Sequence, residues 1–233
     1  ILSGIFAAML ASLCLPICEY LFNITTDVKL LELSNLNNPI LRRLAVEAPG
    51  TYHHSIIVGS LAEAAAEAIG ANSLLVRVGA YYHDIGKLKN PEYYVENQLY
   101  MSNKHENLSP SMSSLILASH VKDGVALADE IKLVPTVSDL IPEHHGTRLM
   151  KFFYQKAKDA HDRKEREVNE DDFRYPGPKP QSKEAAILML ADQVEAAART
   201  LQNPNPNQIR SMNRRLIQST IQDRQFDECD ITM

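Results

Sequence analysis

The chain has 233 residues, 45% of them hydrophobic and 23% charged, a size that suits one large or two small globular domains. Its formal net charge of −5 argues against a general nucleic-acid-coating surface, so we expect no nucleic-acid polymer as a partner. A small anionic substrate stays compatible with this charge where bound metals reverse the local field. Cys14, Cys18 and Cys229 form no disulfide framework and fit a reducing compartment. We expect Cys14 and Cys18 to be small buried hydrophobic side chains.

The first segment, "ILSGIFAAMLASLCLPIC", carries no charge before Glu19. Its length is at the lower limit for a membrane-spanning helix, and no basic region marks a signal peptide. Two interpretations remain, the end of a membrane helix or a buried core helix, and we favour the first. We therefore expect residues 1–22 to form this apolar helix and residues 23–233 to form one domain.

The remaining chain is predicted to be almost entirely helical, because apolar residues recur at helical spacing and no alternating strand pattern occurs. Gly70 is a predicted C-cap, Asn72 or Ser73 a predicted N-cap, and Ser109 before Pro110 a predicted helix start. The predicted helical segments are 55–70, 72–88, 109–130 (one or two helices), 134–146, 182–201 and 208–226. The expected fold class is all-α.

Residues 156–180, "KAKDAHDRKEREVNEDDFRYPGPKP", are first densely charged and then proline-rich. The simpler interpretation is a solvated helix followed by a loop. The alternative is a lid or a loop that grips a substrate, since long loops in compact domains often have functions.

Two aspartates lie in apolar surroundings, Asp84 in "GAYYHDIGKL" and Asp192 after "AAILMLA". A buried carboxylate needs a cation or hydrogen-bond donors. One interpretation is that a remote arginine or a backbone cap satisfies each of them. The other is a divalent metal held by carboxylates and imidazoles, which satisfies both together.

Histidines support the metal interpretation. The chain has eight, and six stand at predicted helix ends or inside apolar patterns, whereas His105 and His161 lie in polar surroundings. A single histidine on an apolar face is ordinary, but several together with carboxylates favour metal binding. The side chains of neighbouring helical residues point about 100° apart. His83 and Asp84 can therefore bind the same ion only if they stand at a helix end. Otherwise they bind two ions, with Asp84 as a bridge between them.

These residues resemble the HD superfamily of metal-dependent phosphohydrolases. The order His54, "HD" at 83–84 and Asp192 matches its basic motif, and His120 with "HH" at 144–145 resembles its bimetal branch. Further blocks, among them "EAPGTYHHS", "SHVKDGVALA", "EHHGT" and "FRYPGPKPQSKEAAILMLAD", are similar to bacterial seven-transmembrane-HD phosphodiesterases acting on cyclic di-AMP. The resemblance runs from about residue 21 to residue 233. It also implies that residues 1–22 are the end of the last membrane helix.

The resemblance implies a helical HD bundle with a centre of two transition metals, Mn or Fe, at the cell membrane with this domain cytoplasmic. One metal would be held by His54, His83, Asp84 and Asp192, and the second by Asp84, His120, His144 and His145. Lys87 resembles a lysine that faces the substrate phosphate, and His53 is expected to have a supporting or structural place. The absence of a Gly-Tyr-Pro motif after "HHGTRL" counts against cyclic di-GMP as the preferred substrate.

The implied reaction is hydrolysis of cyclic di-AMP to linear 5′-pApA by a hydroxide that bridges the metals, with Lys87 stabilising the developing charge. Two alternatives stay open. One is a one-metal nucleotidase or alarmone hydrolase, which needs only His54, His83, Asp84 and Asp192. The other is a non-catalytic domain that senses a nucleotide.

Base and phosphate recognition is less well indicated. Five tyrosines could stack on adenine, although each fits packing in the core at least as well. They are Tyr81, Tyr82, Tyr93, Tyr94 and Tyr175. Arg148 and Arg174 could contact phosphate or be ordinary surface charges.

Overall fold

The structure, a computed structural model, describes residues 2–22, 24–98, 103–161 and 168–231. Within these ranges the regular elements are helices with no strand, which confirms the predicted all-α class. The α-helices are α1 (Leu2–Phe22), α2 (Asp27–Leu33), α3 (Pro39–Glu47), α4 (Pro49–Ile69), α5 (Ser73–Tyr82), α6 (Pro110–Glu130), α7 (Pro135–Ser138), α8 (Leu140–Glu143), α9 (Lys151–His161), α10 (Lys183–Ala198) and α11 (Pro206–Gln222). Short 3-10 helices span Ile85–Lys89, Pro91–Tyr93, Val95–Asn97, Lys104–Asn107 and Glu170–Phe173.

Several predicted helix ends are confirmed by their caps. Gly70 ends α4 in the left-handed conformation, with φ of 69°, where a glycine carries no Cβ penalty. The side chain of Asn72 accepts the amide of Leu75 and begins α5. Ser109 caps α6, which is one helix rather than two.

Other predicted boundaries are wrong. The helix predicted over 72–88 ends at Tyr82, and a 3-10 helix follows. The helix predicted over 134–146 is divided into α7 and α8. In the charged segment α9 ends at His161, and the following loop is only partly within the described residues, so the lid interpretation stays a prediction.

Helix α4 lies at the centre, where it packs against α3, α5 and α10. One core cluster joins α3 to α5 and to the 3-10 helix at Ile85–Lys89, through Leu41, Leu44, Tyr82 and Ile85. A second joins α4 to α10 through side chains such as Val58 and Leu188. The aspartates and histidines of the predicted motif therefore lie on elements that the core holds rigidly together.

The 3-10 helix at Ile85–Lys89 crosses α6 closely and so places His83 and Asp84 beside α6. A Cβ atom on Gly86 would lie 1.9 Å from the backbone oxygen of His120 and 2.4 Å from the amide nitrogen of Gly124. Only glycine fits this approach of backbone to backbone. The glycine of "HDIGK" thus brings His83 and Asp84 next to His120.

Helix α1 leaves large apolar side chains exposed, for example Leu2 at 86% and Leu13 at 71%. Cys14 is exposed as well, so the expectation that it is buried is wrong. The side chain of Cys18 lies outside the described residues. No helix in the described part of the chain is long and apolar enough to cross a membrane. The division at residue 22 stays a prediction.

Candidate metal centre

His83 and Asp84 stand where α5 ends. His83 is the C-cap, and Asp84 has left helical geometry, with φ of −110° and ψ of 14°. The two side chains therefore converge, and His83 Nε2 lies 3.2 Å from Asp84 Oδ2. A helix end thus removes the angular restriction that a continuous helix would impose.

Three buried histidines share one hydrogen-bond pattern. The Nδ1 of His83 donates to the carbonyl oxygen of Ala80 at 2.7 Å. The same contact three residues back is made by His120 at 2.5 Å and by His144 at 2.6 Å. In a neutral imidazole ring with its proton on Nδ1, the Nε2 atom has a free lone pair. Each of these histidines therefore presents a nitrogen that can ligate a metal.

The Nε2 atoms of these histidines converge on one place. The Nε2 atoms of His120 and His144 lie 3.5 Å apart. Within the described residues, His83 Nε2, Asp84 Oδ1 and His145 Nδ1 are buried with no hydrogen-bond partner. Converging, unsatisfied lone pairs are costly unless a cation lies among them, so this donor set fits metal binding.

Asp84 connects two groups of potential ligands. Its Oδ2 lies 3.2 Å from His83 Nε2 and 3.6 Å from His54 Nε2. Its Oδ1 lies 3.3 Å from His120 Nε2 and 3.8 Å from His144 Nε2. The two clusters that could hold an ion are accordingly His54, His83 and Asp84, and Asp84, His120, His144 and His145.

Asp192, on α10, lies beside the same two clusters. Its Oδ1 is 3.1 Å from His54 Nε2, and its Oδ2 is 3.7 Å from His145 Nδ1. The structure therefore brings together all seven residues predicted as metal ligands. Asp192 approaches both clusters, whereas the sequence placed it with only one.

Burial keeps most of these imidazoles neutral. It lowers the pKa of His144 to about 3, lowers that of His120, and lowers that of His145 well below its usual range. His54 differs, because the carboxylates of Asp192 and Glu195 outweigh the opposing effect of burial and raise its pKa to about 9. Asp84 stays ionised, because the ammonium group of Lys87 beside its Oδ2 opposes the effect of burial and helps to hold its pKa well below the usual value.

Glu195 was missed by the sequence analysis. Its Oε2 lies 2.5 Å from His54 Nδ1, and Arg199 binds the same oxygen at 2.9 Å. Such a carboxylate orients the ring and makes its Nε2 a better ligand. The available signal was the spacing from Asp192, since residues three apart share a helix face.

Lys87 lies against the centre and contacts two carboxylates. Its Nζ is 2.6 Å from Asp84 Oδ2 and 2.7 Å from Glu96 Oε1, a second buried carboxylate that the sequence did not single out. Burial would lower the pKa of Lys87, but Asp84 and Glu96 raise it above its usual value. The ammonium group is therefore charged and lies beside the two ligand clusters.

A cleft of about 560 Å³ opens above the centre. Tyr93, Tyr94 and Tyr175 line it, and the Tyr175 ring stacks on His145 at 4.1 Å. Tyr82 is instead a core residue whose hydroxyl donates to the carbonyl of Leu33. Arg174 pairs with Glu170 and Asp223 and donates to a backbone oxygen.

Two further histidines, His53 and His105, belong to neither ligand cluster. His105 is only 7% exposed and its Nε2 hydrogen-bonds the carbonyl of Tyr93, so its polar sequence neighbours were misleading. His53 is exposed on α4, which is inconsistent with a supporting place at the centre. The side chain of His161 lies outside the described residues.

Comparisons with known proteins agree with this geometry. The family model described as HD domain matches residues 51–197. The chain is 50% identical over its whole length to the cyclic-di-AMP phosphodiesterase PgpH of Bacillus subtilis (strain 168). It is 47% identical to the protein of the same name from Listeria monocytogenes (strain 10403S). It spans 32% of each of these relatives, about a third.

A solved structure is similar as well. The PgpH HD domain of L. monocytogenes in complex with cyclic-di-AMP superposes with a TM-score of 0.81 at 49% identity, covering 85% of this chain and 91% of that one. The resemblance inferred from the motifs is confirmed by these matches. Because the HD model covers most of the helices that carry the histidine and aspartate clusters, the chain belongs to the HD domain family.

Proposed function

We propose that this chain is a metal-dependent phosphodiesterase that hydrolyses cyclic di-AMP to linear 5′-pApA, with two divalent cations as cofactors. The observation that carries the proposal is Asp84, whose two oxygens face two separate groups of histidines at the floor of the cleft. Relatives named cyclic-di-AMP phosphodiesterases and a similar domain solved with cyclic-di-AMP support the substrate.

In this proposal His54, His83, Asp84 and Asp192 hold the first cation, and Asp84, His120, His144 and His145 hold the second. Imidazole and carboxylate donors suit Mn, Fe and Zn alike, and family resemblance favours Mn or Fe. When bound, a pair of such cations activates a water and neutralises charge on the phosphoryl oxygens.

The chain's own groups supply the remaining functions. Lys87, kept charged by two carboxylates, contacts the phosphoryl group and stabilises its developing negative charge. Glu195 holds the ring of His54 in position. Tyr94 and Tyr175 contribute aromatic walls to the cleft in which the substrate would lie.

Cation binding at the first position is expected to release a proton. With a pKa of about 9, His54 is protonated at pH 7 and must become neutral to ligate, whereas His144, with a pKa of about 3, is already neutral. Calorimetry in buffers of different ionisation enthalpy should find about one proton released per pair of cations near pH 7. Affinity at this position should rise roughly tenfold per pH unit up to about pH 9.

Glu195→Gln is the matched variant for this titration. Loss of the carboxylate charge lowers the pKa of His54, so the number of protons released on cation binding near pH 8 should decrease. A wild-type chain that releases no proton on binding the pair of cations would contradict the assignment of His54.

Lys87→Met is expected to lower kcat for cyclic di-AMP by roughly 10²- to 10³-fold, the effect typical of losing one group that stabilises transition-state charge. Metal content should stay at two equivalents, because Lys87 is not a ligand. Lys89→Met is the control, since Lys89 is exposed and pairs with Asp123. Unchanged kinetics in Lys87→Met would exclude the role.

The direct test incubates Mn-loaded protein with cyclic di-AMP, cyclic di-GMP and a nucleoside triphosphate and identifies the products by mass. The proposal predicts 5′-pApA from cyclic di-AMP as the preferred reaction. Preferred release of phosphate or pyrophosphate from the triphosphate, with one bound metal, would favour the one-metal alternative. Binding of cyclic di-AMP without turnover would favour a sensing domain.

We also propose that the domain works at the cytoplasmic face of the cell membrane, joined to it through the N-terminal region of a longer protein. Two observations support this location. The apolar side chains of α1 are exposed, and the named relatives are about three times as long as this chain. Separation of full-length protein into membrane and cytosolic fractions tests it.

A further inference from the structure

Arg148 is a half-buried cation beside the candidate metal centre that has no ionic partner within the described residues. Its backbone is fixed: the amide donates to the carbonyl of His145 at 3.2 Å, and its own carbonyl accepts the amide of Tyr175 at 3.0 Å. Its guanidinium makes no hydrogen bond or ion pair to any residue in the described ranges. By contrast, Lys87 and Arg199 each contact a carboxylate within 3 Å.

The absence of a partner has an electrostatic consequence. Burial lowers the pKa of Arg148, and the more distant charges of Asp192 and Asp223 oppose this effect without reversing it. A partly desolvated guanidinium is costly to leave unpaired, and its planar set of donors matches phosphate oxygens. Arg148 is therefore disposed to bind an anion supplied from outside the chain.

The space in front of Arg148 continues the main cleft. A cavity of about 390 Å³ is lined by Arg148, Gln193 and Leu216, and it shares His145, Tyr175 and Asp192 with the larger cleft. The stacked rings of His145 and Tyr175 thus border both spaces. A ligand at the metal centre can extend past these rings toward Arg148.

Building on the proposed function, we propose that Arg148 forms a second anion subsite that holds the phosphodiester not being cleaved. A cyclic dinucleotide carries two phosphodiesters on opposite sides of its ring. When one lies at the metal centre beside Lys87, the other lies toward an adjoining space. Arg148 supplies the cation there and favours substrates with two phosphates over simple diesters.

The test compares cyclic di-AMP with bis(p-nitrophenyl) phosphate, which has a single phosphodiester. Arg148→Ala should raise KM for cyclic di-AMP roughly 10- to 100-fold, as expected for loss of a charge-assisted hydrogen bond. Its kcat should change by less than about threefold, and kcat/KM for bis(p-nitrophenyl) phosphate should be unchanged. Arg148→Lys should be intermediate, because it keeps the charge but loses the paired donors.

Equilibrium binding supplies a readout that does not depend on turnover. The dissociation constant of 5′-pApA, measured by calorimetry, should rise by a similar factor in Arg148→Ala. Arg42→Ala, at an exposed arginine of α3, is the control and should match wild type. Thermal unfolding should be close to wild type for both variants, since neither side chain makes a hydrogen bond in the described part of the chain.

The possible failures are distinguishable. Wild-type turnover of cyclic di-AMP with an unchanged KM in Arg148→Ala would overturn the subsite and leave the proposed function intact. Equal losses on both substrates would also overturn it, because Arg148 would then act on the cleaved phosphate or on the fold. A wild-type protein that neither hydrolyses cyclic di-AMP nor binds 5′-pApA would refute the proposed function and this subsite with it.

Discussion

Asp84→Asn is expected to empty both cation positions at once and to lower kcat for cyclic di-AMP by roughly 10³-fold or more. The reason is geometric, since Oδ2 faces His54 and His83 while Oδ1 faces His120 and His144. Asparagine keeps the shape of the side chain but loses its charge and one ligating oxygen. Metal content by mass spectrometry and steady-state kinetics measure the two effects.

The matched control is Asp123→Asn on α6, because this aspartate pairs with the exposed Lys89 away from the centre. It should keep two equivalents of metal and wild-type turnover. Circular dichroism establishes that both variants are folded. Two retained equivalents in Asp84→Asn would show that Asp84 does not bridge.

His120→Ala is expected to remove one cation and to leave the other. Its Nε2 lies 3.3 Å from Asp84 Oδ1, on the side away from His54 and His83. Metal content should therefore fall from about two equivalents to about one. Turnover should nevertheless be lost almost completely, because the two cations would together activate the water and neutralise charge on the phosphoryl oxygens.

His105→Ala controls for the loss of a buried imidazole. His105 lines the same cleft, but its Nε2 hydrogen-bonds the carbonyl of Tyr93 and it belongs to neither ligand cluster. It should keep both equivalents of metal. Loss of both cations, or of neither, in His120→Ala would contradict the division into two positions.

The cost of burying Asp84 and Asp192 indicated a metal centre, whereas the full set of seven ligands was implied by the resemblance to the HD superfamily. A carboxylate or several imidazoles in apolar helices demand compensation, and the motif order identified the family. Glu96 and Glu195 were not predicted, because their significance depends on contacts with Lys87 and His54, residues remote in the chain or on another helix. The spacing of Glu195 from Asp192 places both on one face of α10, but the contact of Glu195 with His54 becomes visible only in the fold.

Local geometry was predictable mainly where a capping residue specifies it. Gly70, Asn72 and Ser109 begin or end helices as expected. The end of α5 at Tyr82 was not predicted, because the apolar pattern continues through Ile85 and Leu88. There the close contact of Gly86 with α6, a tertiary effect, prevails over helical periodicity.

Crystals of the domain grown with manganese, with anomalous scattering recorded at the Mn edge, test the central claim most directly. Two peaks roughly 3.5–4 Å apart, one on each side of the Asp84 carboxylate, are the predicted result. A single peak bound by His54, His83, Asp84 and Asp192, or density that leaves His120 and His144 without a metal, would contradict it.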